Sequence, residues 1–145
     1  VPRNTAVGLA PANRVSGSFR VRCISKPYEE AVVLVTNRFV VEEEVADDFT
    51  GRAHAALAAL AARPGYRRGE LLRAFDDPRH WCLVTEWESV GAYRRALGAF
   101  DVKIHATPLL AESLDEPSAY EVLASAEPDG AVRVAASDRA TDPGR

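Results

Sequence analysis

Three polar or aromatic side chains stand where the apolar pattern of the chain leaves room for chemistry. Asn37 lies inside the run AVVLVTNRFVV, residues 31–41, and shares a strand face with Val33, Val35 and Phe39. A carboxamide among apolar neighbours costs about 1–3 kcal/mol unless its hydrogen bonds are met, so it is either tied to backbone or aimed at a ligand. Trp87 ends the segment HWCLVTEW on the face of Trp81 and Leu83, where core packing, dimer packing and pocket lining all suit its ring. His105 follows the apolar residues Phe100, Val102 and Ile104. An imidazole there is a hydrogen-bonded structural group, an iron ligand or a proton acceptor. His54, beside the stripe residue Ala53, and His80, at a strand start next to a turn, read as solvated. The chain carries no nucleophile motif, no Gly-rich phosphate loop and no clustered metal-ligand spacing.

The elements that must position these residues follow from periodicity. Ala31 to Val41 is dense in β-branched residues and predicts a strand. Glu42, Glu43, Glu44, Asp47 and Asp48 then suit the positive end of a helix dipole, and Val45, Phe49, Ala53, Leu57 and Leu60 form that helix's apolar stripe. Arg63-Pro64-Gly65 ends it. Tyr66 to Phe75 and His80 to Glu88 predict a hairpin folded at Asp76-Asp77-Pro78-Arg79. In its second strand, Trp81, Leu83, Thr85 and Trp87 point one way and Cys82, Val84 and Glu86 the other. Tyr93 and Leu97 mark a further helix, Thr107 to Leu114 a segment with Pro108 in its first turn, and Ser118 to Leu123 a last strand. The order βαββαβ predicts an α+β, ferredoxin-like antiparallel sheet with both helices on one face. The hairpin strand is apolar on both faces and the chain is short, so a second copy is expected to cover one face, that of Trp87 included, and to roof a water-poor chamber.

Composition sets the wider bounds. The 145 residues suit one domain, with 47% apolar and 27% charged residues as in ordinary globular proteins. A net charge of −3 argues against a general nucleic-acid partner, and no run reaches the length of a membrane span. Cys23 and Cys82 read as free thiols of a reducing cytoplasm, the expected location, and the first thirty residues hold no secretory h-region. Residues 1–30 form a basic N-terminal extension whose part from Ser18 to Ile24 has the alternation of an added strand. Residues 31–124 form the folded domain, and residues 125–145 a tail in which Ala131 to Ala135 is a weak strand candidate.

The segments VLVTNRFVV, RAHA, ARPGYRRGELLR and WCLVTEWES together resemble the antibiotic biosynthesis monooxygenase, or ABM, family over roughly Val32 to Leu123. The resemblance implies a homodimeric α+β barrel of two ferredoxin-like sheets, acting with dioxygen on a small hydrophobic substrate. One branch implies cofactor-free oxidation of aromatic, polyketide- or quinol-like compounds in a dry pocket, with Asn37, Trp87 and His105 lining it. A second, Isd-type branch implies a haem-degrading monooxygenase. There Asn37 falls on the position of an asparagine that meets an iron-bound oxygen and His105 on that of the axial ligand, while Ala96 stands where that branch has a tryptophan. Phe49, Arg52 and Phe100 are expected at the substrate rim. A non-catalytic ligand-binding dimer is the remaining expectation.

Overall fold

A computed structural model of the chain describes residues 21–24, 32–137 and 139. Along the chain, β1 (Val21–Ile24) precedes β2 (Val33–Val40), a 3-10 turn (Glu43–Val45) and α1 (Ala46–Ala61). There follow β3 (Tyr66–Arg73), β4 (His80–Trp87), α2 (Val90–Leu97), α3 (Phe100–His105), α4 (Thr107–Leu110) and β5 (Ala119–Glu121). β6 (Ala124–Ala126) and β7 (Val132–Ala135) close the series. The chain's described residues divide into two compact units, one of Val32–Glu121 and one joining Val21–Ile24 to residues 122–137 and 139.

The central unit is a four-stranded antiparallel sheet in the order β3-β4-β2-β5 with its helices on one face, the α+β ferredoxin-like arrangement. Alternation along β2 and β4 sends Val33, Val35 and Phe39, with Trp81, Leu83, Thr85 and Trp87, into the layer shared with the helices, where all seven are buried. α1 meets them with Phe49, Ala53, Ala56 and Leu60. Asp47 and Asp48 sit in its first turn, as the dipole favours. Val45 lies in the 3-10 turn and is exposed, so the stripe begins at Phe49.

Gly65 ends the α1 connection with φ of 90°, and a Cβ there would stand 2.4 Å from Ala92 Cβ. The glycine thereby lets α2 approach the hairpin closely. Ser89 caps α2, its hydroxyl oxygen accepting from Ala92 N–H at 3.0 Å. What the sequence suggests as one further helical region and a following segment is three short pieces, α2, α3 and α4, which bury Tyr93, Val102, Ala106 and Leu109. β5 covers only Ala119–Glu121, shorter than Ser118 to Leu123, and pairs with Val33–Val35 of β2.

The terminal unit holds a three-stranded sheet, β1-β7-β6. β1 runs parallel to β7 (Val21 opposite Val132), and β6 and β7 form a hairpin that turns through Gly130 at φ of 88°. Residues after 125 are therefore not wholly a loose tail. Of the basic extension, residues 1–20 and 25–30 lie outside the described residues.

The helices correct one expectation about the sheet. The face of Trp87 is sealed by the protomer itself, and Trp87 is 0% exposed without any second copy. The opposite face carries half-buried Leu34, Cys82 and Val84 beside exposed Val40, Leu72 and Tyr120. It is the face that a partner would have to cover.

Candidate functional site

Asn37 faces the helix layer, opposite Leu83 of β4, which in turn stands opposite Leu71 of β3. Its neighbours two residues away on either side, Val35 and Phe39, are 1% and 2% exposed, yet Asn37 itself is only half-buried. Among the described residues its side-chain amide has no hydrogen-bond partner. A half-open position between two closed ones marks a point where solvent enters the layer.

The topology explains the opening. β5 pairs with β2 only as far as Val35 opposite Ala119, and one further backbone bond runs from Thr36 N–H to Ser118 O at 2.7 Å. Beyond that point β2 has no strand on this edge among the described residues. The segment 111–118 borders it instead, held by Leu114 N–H donating to Arg38 O at 2.8 Å. Two forked ion pairs hold the same segment at its sides. Arg38 donates to Glu116 at 2.6 and 3.0 Å, and Arg52 of α1 to Glu112 at 2.7 and 3.1 Å. Those hydrogen bonds hold the carboxyls of Glu116 and Glu112 below the usual carboxylate range.

Two aromatic clusters lie along the layer on either side of Asn37. In one, Phe39 and Phe49 meet edge-on with centroids 5.1 Å apart, Phe49 meets Trp81 at 5.3 Å, and the Arg73 guanidinium lies 5.2 Å from the centre of the Trp81 ring. In the other, Trp87 packs against Tyr66 at 5.4 Å and Tyr93 at 5.5 Å. The Trp87 indole N–H donates to Thr85 Oγ1 at 2.8 Å, so this ring is wall rather than free donor. Burial pushes the phenols of Tyr93 and Tyr66 up from their ordinary value, which keeps both neutral well into alkaline solution.

The structure thus gathers Asn37, Phe49 and Trp87 around one apolar layer and leaves other expected residues outside it. Arg52 sits at the margin with its charge committed to Glu112 and Asp48. Phe100 is 75% exposed and does not line the layer. His105, the last residue of α3, is also exposed, one position from buried Ala106. The haem expectation fits poorly: its ligand candidate faces solvent while the asparagine faces inward, and Ala96, Val102, Ala106 and Leu109 are packed closed. Tyr66, Trp81, Thr85 and Tyr93 emerge from the structure as further wall residues. The sequence signal for Trp81 and Thr85 was their shared strand face with Trp87, and for Tyr93 its place on the helix after the hairpin.

Comparison with known proteins places this geometry. The antibiotic biosynthesis monooxygenase family matches residues 32–103. SnoaB, a cofactor-independent oxygenase from Streptomyces nogalater, is 30% identical, with a TM-score of 0.56 over 63% of this chain and 93% of that one. The structure of a SnoaB variant gives 32% identity and a TM-score of 0.55 over the same shares. Rv0793 from Mycobacterium tuberculosis has the same fold at 19% identity, with a TM-score of 0.55 over 67% of this chain and all (100%) of that one. No curated protein matches.

Proposed function

The chain belongs to the antibiotic biosynthesis monooxygenase family, and on that premise we propose that it oxidises a small hydrophobic aromatic substrate with dioxygen and without a cofactor. The observation that carries this reading is the Asn37 carboxamide, without a partner among the described residues and half-open in an otherwise closed apolar layer. SnoaB's description as a cofactor-independent oxygenase supports it. Residues 32–121 hold the reaction chamber. The protein works as a homodimer through the outer sheet face of Val40, Leu72 and Tyr120.

The substrate's own electrons drive the chemistry. A phenol or enol, once deprotonated, passes an electron to dioxygen, and the resulting pair combines at an activated ring carbon. One oxygen atom stays there as a carbonyl, while the other leaves as water with the hydrogen that carbon gives up and a proton equal to the one removed at the start. No external reductant is needed. The protein's part is orientation and exclusion of water. The Asn37 NH2 group donates to the enolate oxygen, favouring the charged form, and the lost proton reaches water at the open margin. Phe49 and the Trp87–Tyr93 pair hold the ring edge-on.

A hydroxyanthrone serves as the probe, with oxygen uptake and quinone absorbance followed together. The expected result is one dioxygen consumed per quinone formed without added metal or reductant. Asn37→Ala should lower kcat/KM by about 10- to 100-fold, the worth of one hydrogen bond to a charged oxygen. An Asn37→Ala protein with undiminished kcat/KM overturns the reading.

A further inference from the structure

The two tryptophans of the chain share a strand, a face and burial, but not a hydrogen-bonding state. Trp87 donates to Thr85, two residues before it on β4. Trp81 is 9% exposed, and its Nε1 is fully buried with no acceptor among the described residues. The cause lies in its neighbours on that face. Along β4 the next residue is Leu83, and across the sheet stand Phe39 and Arg73. Two of these are apolar, and a guanidinium donates only. Residue 79, where a counterpart of Thr85 would stand, is an arginine of the hairpin turn bound to Asp77.

A buried donor left without an acceptor costs about 1–3 kcal/mol and calls for an explanation. The ring has little freedom to relieve the loss, with the Phe49 ring packed against it at a centroid distance of 5.3 Å and the Arg73 guanidinium over its face. Trp81 is also the diagonal cross-strand neighbour of Asn37, since Asn37 stands opposite Leu83 and Phe39 opposite Trp81. Such diagonals lie roughly 7–8 Å apart, within reach of one bicyclic ligand.

We propose that Trp81 is a second substrate-binding donor, its indole N–H meeting an acceptor oxygen of the ligand that Asn37 holds. This rests on the chamber of Asn37 as the binding site, and it narrows the substrate class. Trp81 only donates, so the group that meets it is an acceptor oxygen, whether a carbonyl, an ether or a hydroxyl. The ligand is a fused ring bearing at least two oxygens on separated positions, one for the amide of Asn37 and one for the indole of Trp81. A hydrocarbon ring of the same shape leaves the donor unmet.

Two tryptophans give two indole N–H signals in a proton–nitrogen spectrum, assigned by their loss in Trp81→Phe and Trp87→Phe. The full chain is titrated with 4-chromanone, a bicyclic ether-ketone, and with chroman, which lacks the ketone. With 4-chromanone, the Trp81 indole proton should move downfield to saturation along with the Asn37 side-chain amide, while Trp87 holds still. Chroman should bind more weakly. Trp81→Phe should weaken 4-chromanone by about three- to tenfold, as one neutral hydrogen bond is worth. If the Asn37 amide responds and the Trp81 indole does not, Trp81 is no donor to the ligand while the chamber stands. If neither responds, the inference and the chamber reading fall together.

Discussion

Thr85→Val tests whether the Trp87 indole is anchored by the layer rather than reserved for a ligand. Valine keeps the shape of threonine and removes the hydroxyl that accepts the indole N–H at 2.8 Å. Thr85 is 2% exposed and Trp87 0%, so no solvent stands ready to replace the lost partner. An indole N–H stranded in that setting costs about 1–3 kcal/mol. For a unit of this size each kcal/mol lowers Tm by roughly 4–8 °C, so a drop of about 5–20 °C is expected. The cost is specific to the pair, which a double-mutant cycle isolates. Trp87→Phe alone is destabilising through lost packing, but in the Thr85→Val background it also removes the stranded donor. The double variant should therefore be more stable than the sum of the singles implies, by about 1 kcal/mol or more. Calorimetric or denaturant unfolding of the four proteins gives the answer. Additivity within about 0.5 kcal/mol would refute the reasoning, since the two side chains would then not be exchanging a hydrogen bond of consequence.

Further perturbations address other parts of the account. Gly65→Ala forces a Cβ onto Ala92 and holds a non-glycine residue at φ of 90°, so unfolding should show a loss of about 2–5 kcal/mol. Asn37→Leu should leave stability unchanged or raise it by up to about 1 kcal/mol while lowering kcat/KM for hydroxyanthrone oxidation by about 10-fold or more, because a half-buried amide without a partner contributes function rather than stability. The Arg52 hydrogen bonds hold the Glu112 carboxyl below its ordinary value of 4.5, so their contribution is in place above that pH and is lost as pH falls through the lower folded value. Both partners are more than a third exposed, at 41% and 52%, which limits the effect to less than about 1 kcal/mol. Melting curves should show wild type losing its advantage over Arg52→Gln below about pH 4. Light scattering should give a dimer mass at micromolar concentration, and Leu72→Glu on the outer sheet face should shift it toward monomer.

The fold was readable because its signals are local. The β-branched run of β2, the acid-rich start of α1, the Pro-Gly stop and the alternation of β4 each fix an element without reference to the others. The site was legible only in part, because openings and satisfaction depend on residues far apart in sequence. Asn37 stands out as an amide in an apolar run, but its half-open state comes from β5 ending at Ala119, some eighty residues on. Phe100 and His105 look like lining residues in a linear reading. Their exposure follows from the break of the second helical region into short pieces, which turns Val102 and Ala106 inward in their place. The covering of the Trp87 face was misassigned to a partner for a similar reason. A strand apolar on both sides does not say which side the chain's own helices take.

The contrast between Trp81 and Trp87 shows how register, not residue type, divides structural from functional groups. Both are buried tryptophans six residues apart on one strand face, and pattern alone gives them the same role. Trp87 has a threonine two residues earlier on its own strand, so its donor is met before any ligand arrives. Trp81 is the second residue of the strand, where the preceding position on that face belongs to the turn and the cross-strand places are filled by a phenylalanine and an arginine. A wall built in this way is closed and self-sufficient at the Trp87 end and keeps an unmet donor at the Trp81 end. A substrate whose oxygens meet Asn37 and Trp81 would therefore be bound in one orientation, with its apolar flank toward Trp87 and Tyr93. Leu83→Thr tests that polarity, since an acceptor placed beside Trp81 should weaken binding of 4-chromanone by competing for the indole N–H, while the truncated leucine, 1% exposed, lowers the stability of the fold.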